Sequence, residues 1–310
     1  FTPAVQKIHA APEDTGLPSM TMDRMLSTLA DRVRAAAADQ APLRIRGGGS
    51  KAFLAGAAPR GEWLDTRPLA GIVSYEPSEL VITARAGTPL AELEAALAEQ
   101  NQCLPFEPPH LRSGTTVGGM VAAGLSGPAR ASVGAVRDYM LGVSIINGRG
   151  EPLTFGGQVM KNVAGYDVSR LMAGSWGQLG VITDVSLKVL PMAPAEATLA
   201  FECGQAEALE RLHAWGGQPL PLNASCWVEG GGAARLYVRL RGAVAAVEAA
   251  CRSMGGERQT RASVPADWQD CREQRLPWFA QRAPQQALWR LSLPQTAPVL
   301  ALPPGVAAPL

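Results

Sequence analysis

Apolar residues Met22, Met25, Leu26, Leu29 and Val33 recur at helical spacing, with Asp23, Arg24, Asp31 and Arg32 off that face; a helix is predicted over 22–38. Short apolar runs then predict strands at 43–46, 63–65, 71–75 and 80–86. Thr88-Pro89 reads as a helix start, with Thr as N-cap and Pro at the first helical position. Leu90, Leu93 and Leu97 mark the buried face of that helix as far as Asn101. Asn147-Gly148, between apolar stretches at 140–146 and 152–155, signals a hairpin, and a short helix is expected over 167–173. In the strand expected at 181–190, Val181, Val185, Leu187 and Val189 share one face. Asp184, Ser186 and Lys188 share the other, which is expected to be wet.

Pro191 to Ala195 marks a boundary, beyond which the order becomes strand, helix, strand, strand, helix. Leu199, Phe201 and Cys203 alternate, Leu209 and Leu212 repeat at helical spacing, and Leu222, Ala224, Cys226 and Val228 alternate again. Gly230-Gly231-Gly232 turns the chain. Leu236, Val238 and Leu240 then face away from Arg235, Tyr237, Arg239 and Arg241. Val244, Val247, Cys251 and Met254 give a second helix, ended by Gly255-Gly256. One-sided strands with helices on the other face describe a ferredoxin-like α+β layer, to which 288–293 adds an expected strand. The arginine-bearing face reads as solvated, or second as a surface for an acidic partner. Residues 1–19, with three prolines and no period, are set aside as a fusion remnant, an upstream extension or a loose tail. Residues 294–310, with five prolines, read as an extended tail or as a chain that stops early.

Composition narrows the function. Of 310 residues, 47% are hydrophobic and 18% charged, so a packed core is expected. A formal net charge of +1 offers no field for nucleic acid or an anionic membrane. No apolar run is long enough to span a bilayer, and no signal peptide is evident. Five scattered cysteines without a C-x-x-C argue against a disulfide framework, a metal site or cluster ligation, and for reduced thiols in a cytoplasmic protein.

Candidate chemistry gathers in three glycine clusters. Arg46-Gly47-Gly48-Gly49-Ser50-Lys51 follows the strand at 43–46. Three glycines admit a ligand to the backbone, successive amides converge on an anion, and Ser50, Arg46 and Lys51 add a hydroxyl and charge. A flexible turn is the plainer reading of this cluster taken alone. The second cluster, Pro108-Pro109-His110-Leu111-Arg112-Ser113-Gly114-Thr115-Thr116-Val117-Gly118-Gly119, presents amides at an expected helix N-terminus. The third, Gly174-Ser175-Trp176-Gly177-Gln178-Leu179-Gly180-Val181-Ile182-Thr183, runs directly into a strand.

In order and spacing these clusters resemble the FAD-binding domain of the vanillyl-alcohol-oxidase/p-cresol-methylhydroxylase (PCMH) class of flavoproteins, over about residues 41–190. Pro108-Pro109-His110, Phe155-Gly156-Gly157, the run Val159-Met160-Lys161-Asn162-Val163-Ala164-Gly165-Tyr166-Asp167 and Ser169-Arg170-Leu171-Met172 are similar, more narrowly, to FAD-binding subunits of bacterial glycolate oxidases, the GlcE type. The resemblance implies an α+β fold: a two-subdomain PCMH-type FAD-binding domain over 20–191, then a smaller ferredoxin-like cap over 195–293, possessed only in part if the usual closing segment is missing. It would put Gly47, Gly48, Gly49 and Ser50 on the FAD pyrophosphate, framed by Arg46 and Lys51, with Thr116, Val117, Gly118 and Gly119 completing the cradle. Gly134, Val136 and Asp138 would line the cofactor further along, and Gly180, Val181 and Ile182 would offer backbone contacts.

Three departures stand out. The first loop has no His or Cys to tether a flavin, so FAD is expected to be non-covalent. Trp176 stands where many members carry Glu, and the Phe-Asp-Pro-x-Gly-x-x-Asn-Pro-Gly segment common near the end of members does not occur before Leu310. For catalysis only His9, His110 and His213 are available; His110 in the second cluster is the candidate base, with a loop-stabilising hydrogen bond as its equal alternative. Arg112 is either a carboxylate ligand or solvated, and Lys161 with Asp167 an internal polar pair. The resemblance implies oxidation of glycolate to glyoxylate, a homologous FAD-binding catalytic subunit, an iron–sulfur subunit, and a cytoplasmic location at the inner membrane through those partners. A non-catalytic FAD-binding or electron-relay subunit is the alternative, and a free-standing oxidase the third reading.

Overall fold

The computed structural model describes residues 17–54, 60–157, 165–230, 233–283, 285–294 and 296–302. The leader up to residue 16, the stretch 158–164 of the glycolate-oxidase-like run, Gly231-Gly232 and the end of the tail lie outside the described residues.

Helix α1 (Leu17–Ala38) starts five residues ahead of the predicted position, inside the segment set aside. No apolar repeat announces that first turn, but Pro18 suits it, because the missing amide is one the helix leaves unpaired anyway. Leu29, Ala30 and Val33 of α1 pack with Leu64, Leu69, Ile146 and Val181. Beneath them β1 (Leu43–Arg46) and β2 (Glu62–Asp65) form a parallel pair. Next come β3 (Ile72–Glu76), β4 (Val81–Arg85), α2 (Leu90–Glu99), β5 (Gln102–Cys103), α3 (Val117–Ala123), α4 (Arg130–Val133), β6 (Met140–Ile146), β7 (Pro152–Gly156), α5 (Val168–Met172), β8 (Val181–Lys188) and β9 (Leu190–Pro191). Five of these strands make an antiparallel sheet in the order β3-β4-β8-β6-β7, and β5 pairs with β9. Leu90, Leu93 and Leu97 of α2 and Val117, Met120 and Val121 of α3 seal that sheet into one core with Ile82, Val185 and Leu187.

Three local expectations change. The α2 N-cap is Pro89, without a side-chain bond; Thr88 is fully buried and its hydroxyl instead donates to the Gly71 carbonyl and accepts the Gly71 amide, both at 3.0 Å. The β6–β7 turn takes its positive φ at Gly150 rather than Gly148, and the Asn147 side chain accepts the amides of Arg149 and Glu151. The polar face of β8 is laced rather than wet: Asp184 pairs with Arg85 at 2.7 Å and Ser186 with Thr83 at 2.8 Å.

The cap runs β10 (Ala195–Glu202), α6 (Gln205–Gly216), β11 (Leu222–Gly230), β12 (Ala233–Gly242), α7 (Val244–Met254) and β13 (Glu257–Arg258). Its antiparallel order β11-β12-β10-β13 is the ferredoxin-like βαββαβ arrangement, with Leu199, Phe201, Leu236, Val238 and Leu240 packed under α6 and α7. Helices α8 (Val264–Arg272) and α9 (Pro277–Ala280) follow, neither foreseen from the pattern. Residues 288–293 form no strand, and Trp289 is 81% exposed.

The arginine face of β12 is not the solvated surface expected. Arg239 is buried: its Nε donates to Asn223 Oδ1 at 2.7 Å, its Nη2 to Glu107 at 2.6 Å, and its guanidinium lies 4.8 Å from the centre of the Trp268 ring. Arg241 bridges Glu107 and Glu196. The acid that face meets is therefore Glu107 of this chain's own first domain.

Candidate cofactor site

Strand β1 delivers residues 47–51 to the edge of the first domain, and the second cluster closes on them backbone to backbone. A methyl group on Gly48 would lie 1.4 Å from the Gly114 carbonyl oxygen, and one on Gly47 2.3 Å from Thr116 Oγ1. Among the described residues, no acceptor takes the amides of Gly47, Gly48, Gly49 or Ser50. Four amides in a row without partners are what an anion site needs. Ser50 and Lys51 are buried, the Thr115 and Ser50 hydroxyls are hydrogen-bonded at 2.8 Å, and Lys51 Nζ lies 3.4 Å from Ser50 Oγ. Burial pulls the Lys51 ammonium down to about 8, an effect that the nearby Glu273 carboxylate opposes. Arg46 ends β1 exposed, its guanidinium against Gly49 and 4.9 Å from the centre of the Trp63 ring.

Helix α3 opens at Thr116, whose hydroxyl accepts the Gly119 amide at 3.3 Å. The amides of Val117 and Gly118 are committed elsewhere, to the carbonyls of Thr88 at 2.9 Å and Ala86 at 2.8 Å. These two residues anchor the helix start to the end of β4; they do not present free donors. The far end of α3 meets the third cluster: the Gly174 amide bonds Val121, the Trp176 amide bonds Ala122, and a methyl on Gly124 would lie 2.9 Å from Gly174. Gly177 in turn lies against Ile45 of β1. Three clusters lying between residues 46 and 183 are thus joined, through α3 and β1, into one closed ring of contacts.

The remaining positions sit as follows. Gly134 has φ +97° beside the Asp138 carboxylate, which accepts the Ala135 amide at 2.8 Å. Val136 is fully buried, with its amide on Ser126 Oγ at 3.2 Å. Gly180 abuts the Ile146 carbonyl, and Val181 and Ile182 are buried. Both are laddered to β6 and precede the stretch of β8 that pairs with β4, and among the described residues no strand pairs with their other backbone edge. Asp167 caps α5 through the Arg170 amide; its expected partner Lys161 lies outside the described residues.

His110 Nε2 donates to Glu94 Oε2 at 2.8 Å, its carbonyl accepts from Thr115 Oγ1 at 2.9 Å, and no described residue bonds Nδ1. Its amide and that of Leu111 point to Glu273, at the end of α8 in the cap, at 3.3 and 2.6 Å. Arg112 holds its guanidinium 5.1 Å from the centre of the Phe53 ring. Glu94, Glu107 and Glu273 have no signature in the sequence, because each reaches a partner at least fifteen intervening residues away.

A family model described as an FAD binding domain matches residues 25–169. Over 275 residues the chain is 49% identical to the glycolate oxidase subunit GlcE of Escherichia coli (strain K12), covering 89% of this chain and 75% of that protein. The chain belongs to the GlcE family. FAD is accordingly its cofactor, and the chain is of the FAD-linked oxidoreductase kind. The glycolate oxidase subunit GlcD of Bacillus subtilis (strain 168) is 29% identical over 128 residues, 41% of this chain and 27% of that protein. A solved structure of alkyldihydroxyacetonephosphate synthase shares the fold, with a TM-score of 0.60 at 17% identity over 80% of this chain; the match spans 56% of that enzyme. The PCMH-type, α+β expectation therefore holds. Among the described residues no helix is long and apolar enough to cross a membrane.

The residues fit the cofactor. A side chain on Gly47 or Gly48 would collide with the second loop, four successive amides there have no acceptor among the described residues, and buried Ser50 and Lys51 add a hydroxyl and a cation suited to phosphate oxygens.

Proposed function

We propose that this chain is the FAD-binding subunit of a complex that oxidises glycolate to glyoxylate. Its own residues hold FAD without a covalent tether. The amides of residues 47–50, the Ser50 hydroxyl and the Arg46 and Lys51 cations take the pyrophosphate. Thr116 to Gly119 fix the second loop, Gly134, Val136 and Asp138 shape the wall beyond it, and Gly180, Val181 and Ile182 offer the open edge of β8. Bound FAD supplies the two-electron acceptor for the hydride lost from C2 of a 2-hydroxy acid. His110 takes the hydroxyl proton at Nδ1, while Glu94 fixes the ring by holding Nε2–H. Arg112, exposed beside Phe53, is the cation for the substrate carboxylate.

The partners in this reading are a homologous FAD-binding catalytic subunit and an iron–sulfur subunit that carries electrons onward, in the cytoplasm at the inner membrane. The observation that carries it is the ring of three glycine clusters with its row of free amides, in a chain 49% identical to a glycolate oxidase subunit. A second reading, an FAD-binding relay subunit whose partner holds the substrate site, is favoured by the structural bonds that already occupy His110 at its carbonyl, amide and Nε2. Anaerobic titration of the flavin-loaded chain with glycolate separates them. Bleaching in the isolated chain is expected for the first reading; bleaching only after the partner subunit is added would select the relay. A purified chain that retains no yellow cofactor would defeat both.

A further inference from the structure

Glu273 ends the helix that the ferredoxin-like cap adds beyond its own sheet, and its side chain is 4% exposed. A carboxylate so buried persists only when its oxygens are well supplied with donors. Oε2 accepts the Leu111 amide at 2.6 Å, and Oε1 accepts Arg272 Nε at 2.8 Å and the His110 amide at 3.3 Å. Leu111 has φ +62°, a left-handed conformation that a leucine keeps only when its surroundings enforce it. The short bond from its amide to Glu273 is that enforcement, and it comes from the other domain.

Lys51 lies nearby. Its Nζ lies 3.4 Å from Ser50 Oγ, Ser50 Oγ lies 2.8 Å from Thr115 Oγ1, and Thr115 Oγ1 lies 2.9 Å from the carbonyl of His110, whose amide bonds Glu273; the charged groups of these segments are Arg46, Arg112, the Glu94-held His110, and Glu273 with Arg272. Of these charges, Glu273 is the one that acts appreciably on the ammonium, and it does so in favour of the charged form.

We infer that Glu273 is a positioning residue for the cofactor site: the cap carboxylate clamps the His110–Leu111 backbone and serves as counter-charge to Lys51, so the phosphate-binding loops take their working shape only when α8 is docked. The inference rests on reading residues 46–51 as the pyrophosphate site. Phosphate oxygens beside Lys51 favour its protonated form, so FAD binding above about pH 8 draws in a proton and weakens as pH rises further. Removing the Glu273 charge makes Lys51 give up its proton sooner, and the weakening then begins at lower pH.

The test uses the full chain stripped of flavin, titrated with FAD by flavin fluorescence from pH 6.5 to 9.5. In the unsubstituted protein the Kd is expected to be flat at low pH and to rise roughly tenfold per pH unit beyond a bend near pH 8, as one linked proton requires. Lys51→Met should bind more weakly and lose the bend, and Glu273→Gln should move the bend to lower pH. Hydrogen exchange of the 107–112 segment, measured without flavin, should be at least tenfold faster in Glu273→Gln and unchanged in Lys51→Met. Should Glu273→Gln fail to fold, Glu273→Asp keeps the charge on a shorter arm; it should keep the bend and still exchange faster. A bend that does not move in Glu273→Gln, or exchange that does not quicken, overturns the inference. Gly48→Val separates the underlying reading: if that variant still binds FAD, the site assignment fails, while the exchange result continues to judge the clamp.

Discussion

Gly48 and Lys51 sit three residues apart in one loop, and their side chains meet opposite constraints. Gly48 tolerates no Cβ, since the Gly114 carbonyl occupies that space. Gly48→Val is therefore expected to purify without flavin absorbance, whereas Gly148→Ala, where a Cβ meets nothing, should stay yellow; equal loss in both would refute the assignment. Lys51 is a buried amine whose affinity for its proton falls from 10.5 to about 8 on folding. Below pH 8 both folded and unfolded chains hold the proton, and the folded one holds it at a cost of about 3 kcal/mol. Between about 8 and 10.5 the unfolded chain binds more protons, so this group makes stability rise with pH. Urea unfolding of flavin-free protein at pH 7.5 and 10 should show that rise relative to Lys51→Met, in which it is absent. Taken alone the glycine run also read as a flexible turn; its place after a strand and ahead of the second cluster is what made it the candidate phosphate loop. The burial of Lys51 was not, since nothing local distinguishes a buried lysine from a surface one.

Strand β12 shows the same limit for an element. Its alternation correctly sets Leu236, Val238 and Leu240 toward the helices, but alternation says only that Arg239 faces the other way, not what waits there. What waits is Glu107, which also accepts the Ala129 amide at 3.1 Å and Arg241 at 3.3 Å. Breaking a buried pair of this kind from one side costs about 3–5 kcal/mol, because the other charge is stranded. Arg239→Met should lower stability by that order in denaturant melts. Adding Glu107→Gln should recover part of the loss, and strict additivity would argue against the pairing. Amphipathic helices and alternating strands were readable for similar reasons. Helix α8 was missed because Trp268 is its one buried side chain, and β13 because two residues carry no period.

Across the whole molecule, the sheet core of the first domain and the core of the cap are separate clusters, joined by polar contacts at Glu107, Glu273 and their partners. The fold class was readable in the pattern of apolar residues; the docking was not, because it depends on single charged side chains far apart in sequence. Calorimetry of the flavin-free chain is expected to give one cooperative transition, and the Arg239→Met/Glu273→Gln pair to split it into two. A single transition in the double variant would show that the domains are coupled by something other than these bonds.

The loop that carries His110 is bonded to residues 239 and 273, more than a hundred positions further along. During synthesis, the first 190 residues can emerge and assemble their sheet while that loop still lacks its partners. If Glu273 shapes the phosphate-binding loops as inferred, full flavin affinity arrives only once α8 has been made, and a ribosome stalled midway through the cap would display a cofactor domain without that clamp.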